Sequence, residues 1–271
     1  MHGPNHSQAP ETRLSTSGPV GFAVRRVALD APWDWLAAGW RDLRAVPVIS
    51  CGYGMVFTAA GWLLVTTLNR LEVVSLIPIF AAGFVLIAPL LAAGLYEVSR
   101  LLEKGQPVTI GAVFSGVAPA TGRLAFFGVA LFLGFFAWIE VAFLLLSLFL
   151  GERAVPDPTQ FAHILLFTNA GVALLFAGTI CGGVLAAMVF TLSSIAAPLL
   201  LAKDIDTVTA MATSVRAVSI NLAPMLLWAA LIAGLMVIGL LTLFLGLVVV
   251  LPLLGYATWH AFRELVVIHR V

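Results

Sequence analysis

Charge is what this chain has least of. Only 10% of its 271 residues are charged, against about 25% in an ordinary soluble domain. Hydrophobic residues make up 61% and the mean hydropathy is +1.08. No water-soluble core of this size needs so much apolar surface, and lipid is the solvent that accepts it. Cysteine is nearly absent. Cys51 and Cys181 lie in apolar runs and form no C-x-x-C pair, so neither a disulfide framework nor a zinc site is indicated. Phosphate-binding glycine loops, H-E-x-x-H, G-x-S-x-G and carboxylate dyads are missing, as is a basic-aromatic surface for nucleic acid. The chain reads as non-enzymatic, with no cofactor, no metal and no nucleic-acid partner expected. A cleavable secretory signal is missing too. Residues 1–30 are mixed and lack an apolar core, and they read as a disordered cytoplasmic tail ahead of a single membrane domain over 31–268.

What is there is long uncharged stretches alternating with short charged ones. Ala45 to Asn69 gives 25 uncharged residues, enough to cross a core of about 30 Å. Val73–Tyr96 and Leu124–Leu150 follow, the last interrupted by Glu140. Residues 158–202 hold no Lys, Arg, Asp or Glu. As one helix they would extend roughly 65 Å, about twice the core. A split at Thr168-Asn169, with Thr168 as N-cap, leaves a short interfacial helix and a span from about Ala170 to Leu201. Residues 217–262 are uncharged apart from His260, and a turn between Gly239 and Gly246 gives the fifth and sixth spans, about 222–240 and 246–267.

The basic residues support this count. With six spans, 12 of the 14 Lys and Arg residues fall on one side, and only Arg70 and Arg153 on the other. Basic residues mark the cytoplasmic side, so both termini are expected there. The expected fold class is all-α: a polytopic membrane protein with six transmembrane helices and short amphipathic interfacial helices.

A candidate three-fold repeat runs through it. Pro-Leu-Leu recurs at 89–91, 198–200 and 252–254, near the cytoplasmic end of each even-numbered span. Tyr96 and Arg100 follow Pro89 at the offsets at which Trp259 and Arg263 follow Pro252; the Pro198 copy has Ile205 and Thr209 instead. Pro47, Pro119 and Pro224 introduce the odd spans. Before each lies an amphipathic segment: 31–44, 109–118 and 206–219. In the first, Asp30 is a candidate N-cap and Trp33, Leu36, Ala37 and Trp40 form the apolar stripe. In the third the stripe is Val208, Met211, Ala212 and Val215.

Few residues could carry chemistry. A carboxylate in a span costs a few kcal/mol unless protonated or paired, so Glu140 is the intramembrane polar candidate, expected to face the bundle toward the first or fourth span. At the cytoplasmic interface the candidates are Arg216 with Asn221, and Trp259, His260 and Arg263. His163 and His260 fall on opposite sides and cannot share a metal. Gly178, Gly182 and Ala186 make a small-residue face suited to close helix packing.

Three runs resemble a known family: Ala210-Met211-Ala212-Thr213-Ser214-Val215-Arg216-Ala217-Val218, then Met225-Leu226-Leu227-Trp228-Ala229, then Pro252-Leu253-Leu254-Gly255-Tyr256-Ala257-Thr258-Trp259-His260-Ala261-Phe262-Arg263. They are similar to bacterial predicted integral membrane proteins of the uncharacterised family called domain of unknown function 2189 (DUF2189). Relatives would carry a polar residue such as His where Tyr256 stands. The resemblance covers about residues 30–268. It implies a bacterial inner-membrane protein and brings no activity with it. Two functions of different class remain. One is a non-enzymatic scaffold or assembly factor, bound to the lipid bilayer and to other membrane proteins. The other is a small-molecule or proton-coupled transporter or channel that uses Glu140. A membrane enzyme or haem protein ranks third.

Overall fold

A computed structural model describes residues 22–73, 76–151 and 158–267. Among them the chain is helical almost throughout, with one two-stranded ladder. Strand β1 (Ala23–Val24) leads into α1 (Ala31–Ala45), and α2 follows (Pro47–Arg70). The second span is two helices, α3 (Ile77–Leu91) and α4 (Ala93–Glu103), joined through Ala92. Then come α5 (Ile110–Val117), a 3-10 turn over Ala118–Ala120, and α6 (Thr121–Leu150). After α7 (Pro158–Phe167), the next span is again broken, into α8 (Asn169–Ser193) and α9 (Ala196–Ala202). Helix α10 (Thr207–Ile220) precedes the hairpin of α11 (Leu222–Leu241) and α12 (Leu247–Leu265), which ends in β2 (Val266–Val267).

Local chemistry sets many of these boundaries. The Thr168 hydroxyl accepts from Gly171 N at 3.0 Å, the N-cap expected at that split. Thr109 caps α5 in the same way through Ala112 N at 3.1 Å. Asp30 sits at the N-cap of α1 but its side chain makes no capping bond; Pro32 in the first turn fixes the start instead. Gly105, at φ +65°, ends α4. In the α11–α12 turn, Leu243 (φ 55°) and Phe244 (φ 67°) take left-handed backbone without being glycine. Side chains of α2 hold that turn: Thr58 donates to Phe244 O at 2.9 Å and Trp62 Nε1 to Leu243 O at 3.0 Å.

Among the described residues, five stretches are long and apolar enough to cross a membrane: Pro47–Arg70, Ile79–Glu103, Ile110–Leu150, Asn169–Ala202 and Leu222–Leu241. The sixth long helix, α12, is not among them. It carries Arg263 and Glu264 and is the most enclosed of the long helices, packed on α1, α2, α4, α9 and α11. It returns the chain to the face where it began. β1 pairs antiparallel with β2, Ala23 opposite Val267, and Arg25 N donates to Leu265 O at 2.8 Å. The two ends therefore share one side. Residues 22–30 are thus ordered rather than part of a tail; residues 1–21 lie outside the described residues.

The element order surface helix, odd span, even helix occurs three times. Each surface helix packs on the even helix that precedes it: α5 on α4, α10 on α8 and α9, and α1 on α12, which closes the ring. Close approach needs small residues. A Cβ on Gly39 of α1 would stand 2.7 Å from Ala257 N, and one on Gly54 of α2 would stand 2.3 Å from Val248 O. The faces buried by α1 and α10 are not the apolar stripes read in the sequence. Helix α1 buries Ala31, Trp35, Ala38, Gly39 and Leu43, and exposes Trp33 and Trp40. Helix α10 buries Thr207, Ala210, Ser214 and Ala217, and exposes Val208. In a membrane the large apolar side chains can face lipid while small ones face protein, so the orientation inverts relative to a soluble helix.

The three even helices differ at their prolines. α3 yields to α4 three residues after Pro89, and α8 breaks at Ser194 and Ile195, ahead of Pro198. Helix α12 runs unbroken through Pro252, which lies only five residues past its first residue. There the missing N–H frees a carbonyl in the first turn, where the interruption is small. The break in the fourth span has a second cause. Ser214 of α10 inserts its hydroxyl between Thr191 O, to which it donates at 2.8 Å, and Ile195 N, from which it accepts at 3.2 Å. Those two backbone groups would otherwise pair in the helix.

Candidate functional site

The even helices and surface helices meet on the face that carries Arg100, Arg123, Lys203 and Arg263, and there the polar side chains pair with one another. Helix α4 supplies the centre. Glu97 and Arg100, three apart and on one side of the helix, form a fork: Arg100 Nε donates to Glu97 Oε2 at 2.6 Å and Nη2 to Oε1 at 2.9 Å. Glu97 is 1% exposed. Helix α5 seals the pair, because Gly116 lies so close that a Cβ there would fall 1.9 Å from Glu97 Oε1.

Two further carboxylates tie α12 to its neighbours. Asp42 of α1 accepts from Ser99 Oγ at 2.6 Å and contacts His260 Nε2 at 2.9 Å. Glu103 accepts from Arg263 at 3.0 Å (Nε) and 2.7 Å (Nη2), and from Trp259 Nε1 at 3.1 Å. Glu264 in turn accepts from Trp35 Nε1 at 2.6 Å, and the Trp35 ring meets Trp228 edge-on at 5.6 Å. On the other side of α4, Arg123 pairs with Asp204, and Thr207 Oγ1 donates to Arg123 O at 3.2 Å. The N-terminal segment is clamped by buried Asn221: its Oδ1 accepts from Val27 N at 2.9 Å and its Nδ2 donates to Arg25 O at 3.0 Å.

Of the residues singled out in the sequence, Trp259, His260 and Arg263 are thus brought together, as one edge of α12. Asn221 serves the terminal clamp. Arg216 lies half-buried on α10. Glu140 is elsewhere, and its orientation differs from the expectation. It is exposed on α6, with no hydrogen-bond or ion-pair partner among the described residues. Two residues before it, Trp138 Nε1 donates to Ile79 O at 2.9 Å, which puts Glu140 level with the far end of α3 from Arg100. The inward side of α6 is filled by Leu131, Ala142 and Leu146, leaving Glu140 outside. The small-residue face of α8 is used at one position: Gly182 abuts the Trp138 ring, while Gly178 meets nothing within 4 Å.

Asp42, Glu97, Glu103 and Glu264 were not singled out from the sequence. The signal was available: in a chain with 13 acids, four fall beside basic residues at one face. The pairs tie α1, α4 and α12 to one another. The Asp42–His260 pair has the form of an acid–base couple, but Ser99 bonds the carboxylate and not the imidazole. Among the described residues no group of three His, Cys, Asp or Glu could hold a metal ion.

The apolar spans and this one-sided polar face are those of a multi-pass membrane protein. The family model described as a predicted integral membrane protein, DUF2189, matches residues 76–202. The DUF2189 match takes in α3 to α9, the second through fourth spans, and is narrower than the 30–268 expected. All three runs that carry the resemblance in the sequence, 210–218, 225–229 and 252–263, lie outside it. No curated protein and no solved structure matches the chain.

Proposed function

We propose that the protein is a non-enzymatic scaffold of a bacterial inner membrane, with both termini in the cytoplasm, that gathers other membrane proteins around itself. One observation carries this reading. Side-chain pairs on the basic face, Asp42 with His260 and Ser99, Glu97 with Arg100 and Glu103 with Arg263, tie α1, α4 and α12 together, whereas the spans beside them stay apolar and open. Only 11% of the most apolar window of Asn169–Ala202 is buried inside the protein. Val172, Phe176, Ile180, Val184 and Met188 are exposed along α8. A cross-tied frame with an unoccupied helix face is suited to holding a partner helix. The basic side faces the cytoplasm by the bias of Lys and Arg.

Photocrosslinkers at Phe176 and Val184, with a control at Met55 of α2, test the proposal in native membranes. One partner captured at both α8 positions, in fixed stoichiometry and not at Met55, is the expected result. Lipid adducts alone at all three would overturn it.

A further inference from the structure

A cavity of about 140 Å³ lies between α3–α4, α8, α11 and α12. Its existence follows from the helix breaks: Ala92 and Ser194 line it beside two of them, and Gly255 lines it from α12. Most of its wall is apolar, including Leu86, Val189, Ile232 and Met236. Toward the basic face the wall turns polar, with Tyr96, Ser193, Ser194 and Thr258. Two of those hydroxyls are engaged: Ser194 with Ser214 at 3.2 Å, and Thr258 with Leu254 O at 2.7 Å. The other two are not. Tyr96 and Ser193 are each 2% exposed, yet neither hydroxyl has a hydrogen-bond partner among the described residues. Among the described residues only Arg123 Nε is both fully buried and unpaired, so these two hydroxyls open onto the cavity and offer it two free donors.

We propose that this cavity holds one acyl chain of a bilayer phospholipid, its ester carbonyl accepting hydrogen bonds from Tyr96 and Ser193. The inference is independent of the scaffold reading. Depth fits: Tyr96 is four residues, about 6 Å along the helix, from Arg100 on the basic face, where ester groups lie beneath the headgroups. Size fits: a dry apolar cavity of about 150 Å³ holds benzene, so five or six chain carbons fill this one. Access fits as well. α8 and α11 both line the cavity but are not packed on each other, and Ala186 on its wall is exposed. The rest of the chain leaves sideways through that gap into the bilayer.

The test uses the full-length protein in phosphatidylethanolamine vesicles. A trace of the same lipid carries a diazirine on the sixth carbon of one chain. After irradiation, peptides containing Val189, Trp228 or Ile232 should be labelled. The ether-linked analogue, which has the chain and lacks the carbonyl, should label them at least threefold less. The double variant Tyr96→Phe, Ser193→Ala should show a similar loss with the ester lipid, while labelling at Met55 on α2 stays constant. Labelling confined to outward-facing residues overturns the proposal, as does equal labelling by the ester and ether lipids. The ether comparison uses the unmodified protein, so it stands even if the double variant misfolds.

Discussion

Ser214 Oγ accepts the amide proton of Ile195 at 3.2 Å, a bond that a straight helix would give to Thr191 O. A side chain from α10 thus holds the fourth span in its broken form. Ser214→Ala should leave Ile195 N and Thr191 O facing each other across an empty site. The expected cost is about 1–3 kcal/mol of stability, read as a lower unfolding temperature in detergent. An unchanged or raised temperature would show that the span straightens and re-pairs instead.

Arginines at the same offset from their Pro-Leu-Leu motifs should behave differently. Arg100 neutralises Glu97, which is 1% exposed, so Arg100→Ala strands a buried carboxylate; the loss is expected at about 3–5 kcal/mol. The side chains of Arg263 and Glu103 are 40% and 41% exposed, and Arg263→Ala should cost no more than about 1 kcal/mol. Denaturant titration of both variants in one detergent settles the ranking. Equal losses would contradict the assignment of Glu97 as the buried anchor.

Asp206 gives a pH dependence. Bonds from the Thr209 hydroxyl, and secondarily from its backbone amide, hold the Asp206 carboxyl below its ordinary value of 3.8. A depressed carboxylate contributes stability that is complete above the unfolded value and fades as pH falls through the folded one. The cap of α10 should weaken only below about pH 4. Asp206→Asn keeps a capping oxygen without the titration. Its unfolding temperature should fall less steeply than the wild type's on going from pH 5 to pH 3, and parallel curves would refute the cap's role.

Topology follows from the pairing of the chain ends. Reporter fusions after Lys104, Lys203 and Arg270 should read as cytoplasmic, and those after Arg70 and Arg153 as periplasmic. A reading at Arg270 opposite to that at Lys104 is incompatible with β1 pairing to β2.

Glu140→Gln should be nearly silent, within about 0.5 kcal/mol, because the exposed carboxylate has no partner to lose. Expression and thermal unfolding in vesicles measure it. A collapse in either would mean that Glu140 holds something together after all.

Much of this fold was legible in the sequence because membranes impose simple rules. Uncharged length gave the spans, Thr168 gave the split before α8, and the Lys and Arg bias gave the shared side of the ends. What misled were residues whose environment the sequence does not state. Glu140 was expected to turn inward because a carboxylate avoids lipid. It stands instead level with the end of α3, where that avoidance weakens. The stripe of α1 suits the headgroup layer, and Trp33 and Trp40 are exposed; which small residues pack on protein is what the sequence does not state. Here Gly39, Ala210 and Ser214 make the protein contacts. That these acids cluster near basic residues is legible, but which partners Asp42 and Glu103 take is not, because the pairs join residues up to 218 positions apart. The cavity was invisible too, since it depends on two helix breaks meeting, one of them made by a side chain from another helix.

The closure of the ring through α1 and α12 has a consequence for biogenesis. Gly39 is shaped to receive the backbone of Ala257, yet the ribosome makes Ala257 long after Gly39. At about 5–20 residues per second, α1 waits on the order of 10–40 s for its dock. During that interval Trp35 lacks Trp228 and Glu264, the partners that enclose it. Helix α1 waits at the membrane surface, with Trp33 and Trp40 as its moorings, until α12 arrives.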